Sequence, residues 1–481
     1  MRLPKTFRLF PAALALALAG ASCASKPPPR ESPVAPPEAF SETGGVALPE
    51  RWWRAFDDAA LNDLVDRALS DNFSLRAARQ RLDQADAVMR RQGAEQRPKL
   101  NATAGAARIE QRSTTTEGGV ETTRTAGREE YSLGLAASYE IDLWGRLGAL
   151  GEAATLDAEA AAEDLSAAAV SLSAEVTLAW FRLAEKQGQA DLIERQLQTN
   201  TNALELIELR FRRGQADAAD VLQQRQLVES SRAEMALVRA AQDTLAHRLA
   251  VLTGAPPKSP LPPPAPGVRE PPAMPAAGLP AELLQRRPDL RRASARLRAA
   301  DRRAAAAVAE RFPRLTLTGR ATTSTDDVAN LFDTWLASLA GELAAPLVDG
   351  GSRRAEVDRT RAVVREQLNL YGQAVLEALA ETEDAIAREG RQRELLASLT
   401  TQLDLSRLSA ERIRDNYLKG GTDYLRVLDA VLRLQSLQRR ELEARLALLE
   451  TRVALYRALA GAWKSGPPPG VNPSDKDATD D

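Results

Sequence analysis

Apolar positions along the chain change their period several times, and those changes separate helical from extended stretches. Leu396, Leu399, Leu403, Ser406, Ala410, Ile413 and Tyr417 recur at alternating spacings of three and four, as do Leu442, Leu446, Leu449, Val453, Tyr456 and Ala460. Ile193, Leu197, Asn200, Leu204, Ile207 and Phe211 repeat the pattern earlier in the chain. A seam this narrow predicts long helices packed knobs-into-holes. Gly214 and Gly420-Gly421 break the periodicity, and each break is followed by an aspartate, Asp217 or Asp423. A glycine that ends one helix and an aspartate that caps the next define a tight helix–helix turn. Two helical hairpins are therefore expected, with tips at Gly214, Asp217, Gly420, Gly421 and Asp423. The arm from about Gly145 to Arg213 would be roughly 100 Å long at 1.5 Å per residue.

Elsewhere the period falls to two. Leu100, Ala102, Ala104 and Ala106 alternate with Asn101, Thr103 and Gly105, and Tyr131, Leu133, Leu135, Ala137 and Tyr139 alternate with small or polar residues. Leu315 and Leu317 oppose Thr316 and Thr318, and Trp335, Ala337, Leu339 and Leu343 oppose Ser338 and Glu342. Four strands of about 9–14 residues follow, each with one apolar face, which is long enough to cross an outer membrane at a tilt. On that pattern Leu135 faces lipid and Gly134 faces the opposite side, and the stretch Ser113–Arg128 is a polar loop. A half-buried sheet beside a helical bundle would show the same alternation. Four strands cannot close a barrel alone, because the smallest has about eight, and open edges are not tolerated in lipid. Strands in a membrane would have to be pooled by several chains, and three chains give twelve.

The chain is also written twice. Leu75-Arg76, Ala78, Leu82, Ala85, Ala94-Glu95, Pro98 and Leu100 return without a gap as Leu290-Arg291, Ala293, Leu297, Ala300, Ala309-Glu310, Pro313 and Leu315. Phe211, Gly214, Asp217 and Val221-Leu222 return as Tyr417, Gly420, Asp423 and Val427-Leu428. Proline is absent from Lys99 to Ala255 and from Leu347 to Gly466, as regular helices and strands require. The expected layout is a signal over 1–22, an anchor, tether and N-terminal segment over 23–71, and a first repeat over 72–254. A Pro-rich linker over 255–285, a second repeat over 286–462 and a tail over 463–481 complete it.

Composition narrows the chemistry. The 481 residues carry a net charge of −2, and the arginines are interleaved with acids, so no basic excess points to nucleic acid. One His and one Cys are too few for a zinc site or a His-based triad; no Gly-rich phosphate loop is present, and no cofactor or catalytic residue is expected. His247 reads as an ordinary helix-face residue. Arg2, Lys5 and Arg8 precede an apolar run from Leu9 to Ala21 and then Cys23, the layout of an export signal too short to span a bilayer. Nothing later reads as long and apolar enough to do so. Cys23 is either a lipid-bearing residue after signal cleavage or a leftover thiol behind cleavage after Ala19-Gly20-Ala21. An exported chain whose sole cysteine ends its signal favours the lipid, and the Pro-rich stretch from Lys26 to Pro37 suits a tether.

Several motifs carry a family resemblance. Trp52-Trp53 is followed by Phe56, Leu61 and Asn72; Glu140-Ile141-Asp142-Leu143-Trp144-Gly145-Arg146 follows the second strand. Leu283-Leu284-Gln285-Arg286-Arg287-Pro288-Asp289-Leu290 opens the second repeat, Phe312-Pro313 precedes the third strand, and Pro346-Leu347-Val348-Asp349-Gly350-Gly351 follows the fourth. In order and spacing the chain resembles an outer membrane factor of the TolC-like class, in its lipoprotein (NodT-type) branch. Ser294 stands where that family often has Glu, and Val348 where it usually has Phe. The resemblance implies a mainly α fold with a transmembrane β-barrel, in which a homotrimer forms a 12-stranded barrel in outer-membrane lipid. A 12-helix periplasmic α-barrel of coiled-coil hairpins would continue it. It further implies a passive efflux duct joined through a periplasmic adaptor protein to an inner-membrane transporter that supplies the energy.

By the same resemblance, Tyr424-Leu425-Arg426-Val427-Leu428-Asp429-Ala430 matches the segment that narrows the closed tube, with Leu425 and Asp429 as an apolar ring and a carboxylate ring. Ala219 and Gln223 stand at the equivalent places in the first repeat. A carboxylate ring attracts cations and repels anions. The competing reading makes Leu425 seam packing and Asp429 a solvated charge. A secreted coiled-coil scaffold or adaptor without a channel would explain the hairpins but leave the four alternating strands unused.

Overall fold

The computed structural model describes residues 32–459 apart from Pro266. The signal, Cys23 and the 463–481 tail lie outside the described residues. In chain order the elements are a 3-10 turn at Trp52–Phe56, α1 (Ala59–Asp71), α2 (Phe73–Ala94), β1 (Lys99–Glu117), β2 (Val120–Ile141), α3 (Arg146–Arg212) and α4 (Ala218–Leu252). A short α5 (Pro280–Arg286) closes the linker, and α6 (Pro288–Ala309), β3 (Arg314–Thr325), β4 (Trp335–Ala344), α7 (Ser352–Leu418) and α8 (Tyr424–Leu459) follow. The second half repeats the first closely: α2 and α6 have 22 residues each, α3 and α7 have 67 each, and α4 and α8 have 35 and 36.

Contacts divide the chain into two units, each drawing on both repeats. The first holds residues 83–160 and 294–370 and is organised by an antiparallel sheet in the order β1-β2-β3-β4. Beside it, the start of α3 buries Leu147, Ala153, Ala154 and Ala158, and α6 buries Leu297, Ala299 and Ala300. Glu140 of β2 and Arg146 of α3 form a two-pronged pair at 2.8 Å, and Asp142 accepts the Gly148 amide at 2.7 Å. Trp144 stacks on Phe312 at 4.8 Å and donates to the Pro313 carbonyl at 2.7 Å. The motif between β2 and α3 is thus a strand-to-helix corner, fastened by its own polar side chains.

One strand expectation is overturned. Ser113–Arg128 is not a loop: β1 and β2 stay paired through it, from Arg112 opposite Thr125 out to Thr116 opposite Glu121. The run is rich in threonine, a β-branched residue that favours strands. Gly118 and Gly119, at φ 61° and 86°, supply the two positive-φ positions that a tight hairpin turn demands.

The second unit holds residues 33–82, 161–293 and 371 onward. Its core centres on Trp52, which stacks on Tyr456 at 5.7 Å, and on Phe56, whose ring lies 5.0 Å from Phe181. Leu61, Leu64, Val65 and Ala68 of α1 pack into the same cluster. Asp58 caps α1 through the Leu61 amide and also accepts from Trp180 Nε1 at 3.0 Å. Asn72 accepts the Leu75 amide at 3.0 Å and donates to the Leu252 carbonyl at 2.9 Å, which ties α2 to the end of α4. The N-terminal segment pairs with the linker, Gly44 donating to Pro275 and Ala276 to Val46.

Two buried arginines organise this unit. Arg287 pairs with Asp289 and Glu381 at 2.8 Å each and donates to the Ala458 carbonyl at 3.0 Å. Arg452 and Glu389, both essentially inaccessible, form an ion pair (2.9 Å from Nε), and Arg452 also donates to the Pro272 carbonyl of the linker. Contrary to expectation, α3 contains a stretch long and apolar enough to cross a membrane, but 67% of that stretch is buried within the protein. It is a core helix, and its apolarity reflects packing on several sides at once.

Candidate functional site: the sheet face and the hairpin tips

Register shows what the sheet can do. On one face Leu100, Ala137, Gly319 and Leu339 lie in one row, and Ala102, Leu135, Ala321 and Ala337 in the next. Ala104, Leu133, Thr323 and Trp335 follow. Tyr139, beside Leu317, stands at one end of this band and Tyr131, opposite Ala106, at the other. One row beyond Tyr131 the face becomes charged, with Arg108 opposite Glu129. The eight steps from Tyr139 to Tyr131 cover about 27 Å of strand, which a tilt near 40° reduces to about 21 Å, a little under the ~25 Å apolar band that aromatic girdles flank in outer-membrane barrels. The other face carries Asn101, Arg320 and Ser338 in one row and Thr103, Gly134 and Thr322 in the next. Ala136 and Leu336 are the apolar members of those two rows. The band is apolar and exposed, as the large exposures of Leu100, Leu339 and Trp335 record.

The hairpin tips are built alike. At the first, Gly214 (φ 70°) donates to Phe211 and Gln215 to Arg210; at the second, Gly420 (φ 78°) donates to Tyr417 and Gly421 to Asn416. Both are glycine-terminated helix ends whose amides close back on the last turn. Gly421 itself keeps an ordinary φ, so Gly420 alone carries the left-handed position there. Asp217 and Asp220 form a reciprocal capping box at the start of α4, and Asp423 accepts the Arg426 amide at 3.0 Å.

The two tips share a small core of Ile207, Val221, Leu227, Tyr417, Tyr424, Val427 and Leu428. Beside it runs a buried polar network not anticipated from the pattern. Asn200 donates to Ser231 at 3.1 Å and accepts from Gln435 at 2.9 Å, and Gln224 donates to the Asn200 carbonyl at 2.6 Å while accepting from the Tyr424 hydroxyl. The signal was Asn200 itself, a polar residue in an apolar seam, a device that fixes helix register at a cost in stability. Burial raises the Tyr424 hydroxyl pKa well above its ordinary value, so it remains a donor. Phe211 departs from its expected seam role. It is 46% exposed while its counterpart Tyr417 is buried against the Arg210 guanidinium.

Leu425 and Asp429 fall on the face of α8 turned away from this core. Leu425 is 55% exposed, so it does not pack in the seam. The Asp429 carboxylate lies 3.6 Å from the guanidinium of Arg433, one turn further on.

The model of the family described as outer membrane efflux protein matches residues 64–255 and 279–461. The chain is 32% identical over 455 residues to the pyoverdine export outer membrane protein OpmQ of Pseudomonas aeruginosa, covering 92% of this chain and 95% of that protein. It is 31% identical to the solvent efflux pump outer membrane protein SrpC of Pseudomonas putida, with 95% and 98% covered. Among solved structures, CusC superposes with a TM-score of 0.80 at 26% identity, over 90% of this chain and 99% of that one. The outer-membrane channel OprN gives 0.79 at 29% identity, over 90% and 99%.

Proposed function

The chain belongs to the outer membrane efflux protein family, and from that premise we propose that three copies assemble into one continuous duct. The protein is an outer-membrane component of an efflux system. The observation that carries the trimer is the sheet: it offers a membrane-sized apolar band on one face yet ends at β1 and β4 with no further strand beside them among the described residues. Unpaired backbone groups at those edges would each cost several kcal/mol in lipid. Pairing β4 of one chain with β1 of the next removes every edge, and three chains give a twelve-stranded barrel. The four long helices of each chain would then supply a twelve-helix barrel in the periplasm.

A passive duct needs a source of energy and a delivery route. An inner-membrane transporter and a periplasmic adaptor protein supply them in this reading, the adaptor meeting the tips at Gly214, Asp217, Gly420, Gly421 and Asp423. Leu425, exposed and aimed away from the tip core, would close the entrance as an apolar ring, with Asp429 one turn deeper. Cys23, followed by its Pro-rich tether, would carry a lipid that holds the chain at the membrane. Native mass spectrometry of the detergent-solubilised protein tests the assembly. Three chains per particle are expected, with a mass at the N-terminus that includes acyl chains, and a stable monomer would refute the duct.

A further inference from the structure

We propose that Arg426 and Arg433 make the periplasmic entrance select for negatively charged solutes, overriding the carboxylate that lies between them. The inference rests on the proposed trimeric duct with Asp429 facing its lumen. If Asp429 faces the lumen, so do the residues three before and four after it, because those spacings share one helix face. Both are arginines. Arg433 already pairs with Asp429 at 3.6 Å, and among the described residues Arg426 makes no ion pair that would offset it. Each chain therefore presents two guanidiniums and one carboxylate within about 11 Å of helix, a net charge of +1, or +3 around a three-fold ring. Arg440 extends the stripe along the same groove between α7 and α8, a cavity of about 790 Å³. The facing wall of α7 contributes Ser406, Ser409 and Ile413 and no charge to it.

The tandem repeat provides an internal comparison. With the 206-residue offset that relates Gly214 to Gly420, Arg426, Arg433 and Arg440 correspond to Asp220, Leu227 and Glu234. The basic stripe is thus no general feature of this helix in both copies. It belongs to the hairpin that carries Leu425 and Asp429.

Charged rings at a constriction govern which ions pass, and the sign here is positive. The test is the zero-current potential of the full-length protein in planar bilayers across a KCl gradient. The wild type should prefer chloride. R426Q/R433Q should lower the chloride-to-potassium permeability ratio at least about threefold, the effect of one kT of local potential, and D429N should raise it. The differences should shrink between 0.1 and 1 M salt. A conducting channel that prefers potassium, or whose ratio is unmoved in R426Q/R433Q, overturns this inference and leaves the duct standing. Absence of any conductance from the trimer, even after Leu425→Ala removes the apolar ring, overturns the duct and this inference together.

Discussion

Leu135 stands four residues from Tyr139 and four from Tyr131 on the same face of β2, between Ala102 and Ala321. If the two tyrosines mark the bilayer interfaces, each lies about 14 Å away along the strand, and Leu135 sits at the membrane midplane. An arginine on the lipid side costs about 2–4 kcal/mol at that depth, hence about 6–12 kcal/mol for three chains. Gly134 is a poor opposite-face control, because an added Cβ would come within 2.7 Å of Thr103 Oγ1 and 3.4 Å of Thr322 Cγ2. Ser132 is better. It lies opposite Gly105 on one side and Ser324 on the other, and Glu130 on the same face already bonds Ser324 at 3.2 Å. Ser132→Arg should cost under about 1 kcal/mol, the range of ordinary surface changes. Denaturant titration of protein folded into lipid vesicles reads both variants. Equal losses at Leu135 and Ser132 would mean that both faces of the sheet meet the same medium, and the barrel would have to be abandoned.

Three further outcomes are expected. Replacing Leu425 and Asp429 together by alanine should raise single-channel conductance and sensitise cells to bulky antibiotics, whereas unchanged values would move the constriction elsewhere. Arg452→Met strands Glu389 in the core and should cost about 3–5 kcal/mol, less whatever Arg393, which also pairs with Glu389, recovers; adding Glu389→Leu should restore most of it in thermal denaturation. Burial acts to raise the Asp289 and Glu381 pKa values, but the Arg287 guanidinium outweighs it and holds both carboxyls below their ordinary range. A depressed carboxylate contributes stability above its unfolded pKa and loses it as pH falls through the folded one. Arg287→Gln should therefore narrow the stability gap to wild type on acidification below about pH 4, and a gap constant from pH 7 to pH 3 would refute this.

The helical hairpins, their glycine-marked tips and the alternating strands were legible because each depends on neighbours a few residues away. Seam positions such as Leu399, Leu403 and Tyr417 are buried as their spacing requires. What escaped the pattern depends on distant partners. Phe211 and Tyr417 occupy equivalent positions, yet only the second finds a pocket. The charged and threonine-rich run Ser113–Arg128 resembled a loop because polar residues on both faces of a strand erase the alternation. Trp144 and Arg287 were visible as motif letters, but their work as corner fastenings appears only when Phe312 and Glu381 are beside them. The sign of the charge around Asp429 needed only the residues three before and four after it to be read on the same face.

The equal lengths of α3 and α7 bear on how this chain can evolve. Each arm has 67 residues, and the tips they reach are joined by a shared core that includes Ile207, Tyr424 and Val427. A deletion of four residues from one arm would withdraw its tip by about 6 Å, a whole row of that core, while the other stayed in place. Point substitutions can accumulate independently in the two copies, as the arginine stripe of one and the acids of the other show. Changes of length cannot: an insertion in one copy is tolerated only when its twin acquires the same one, so the duplication binds two halves of a gene to a common ruler.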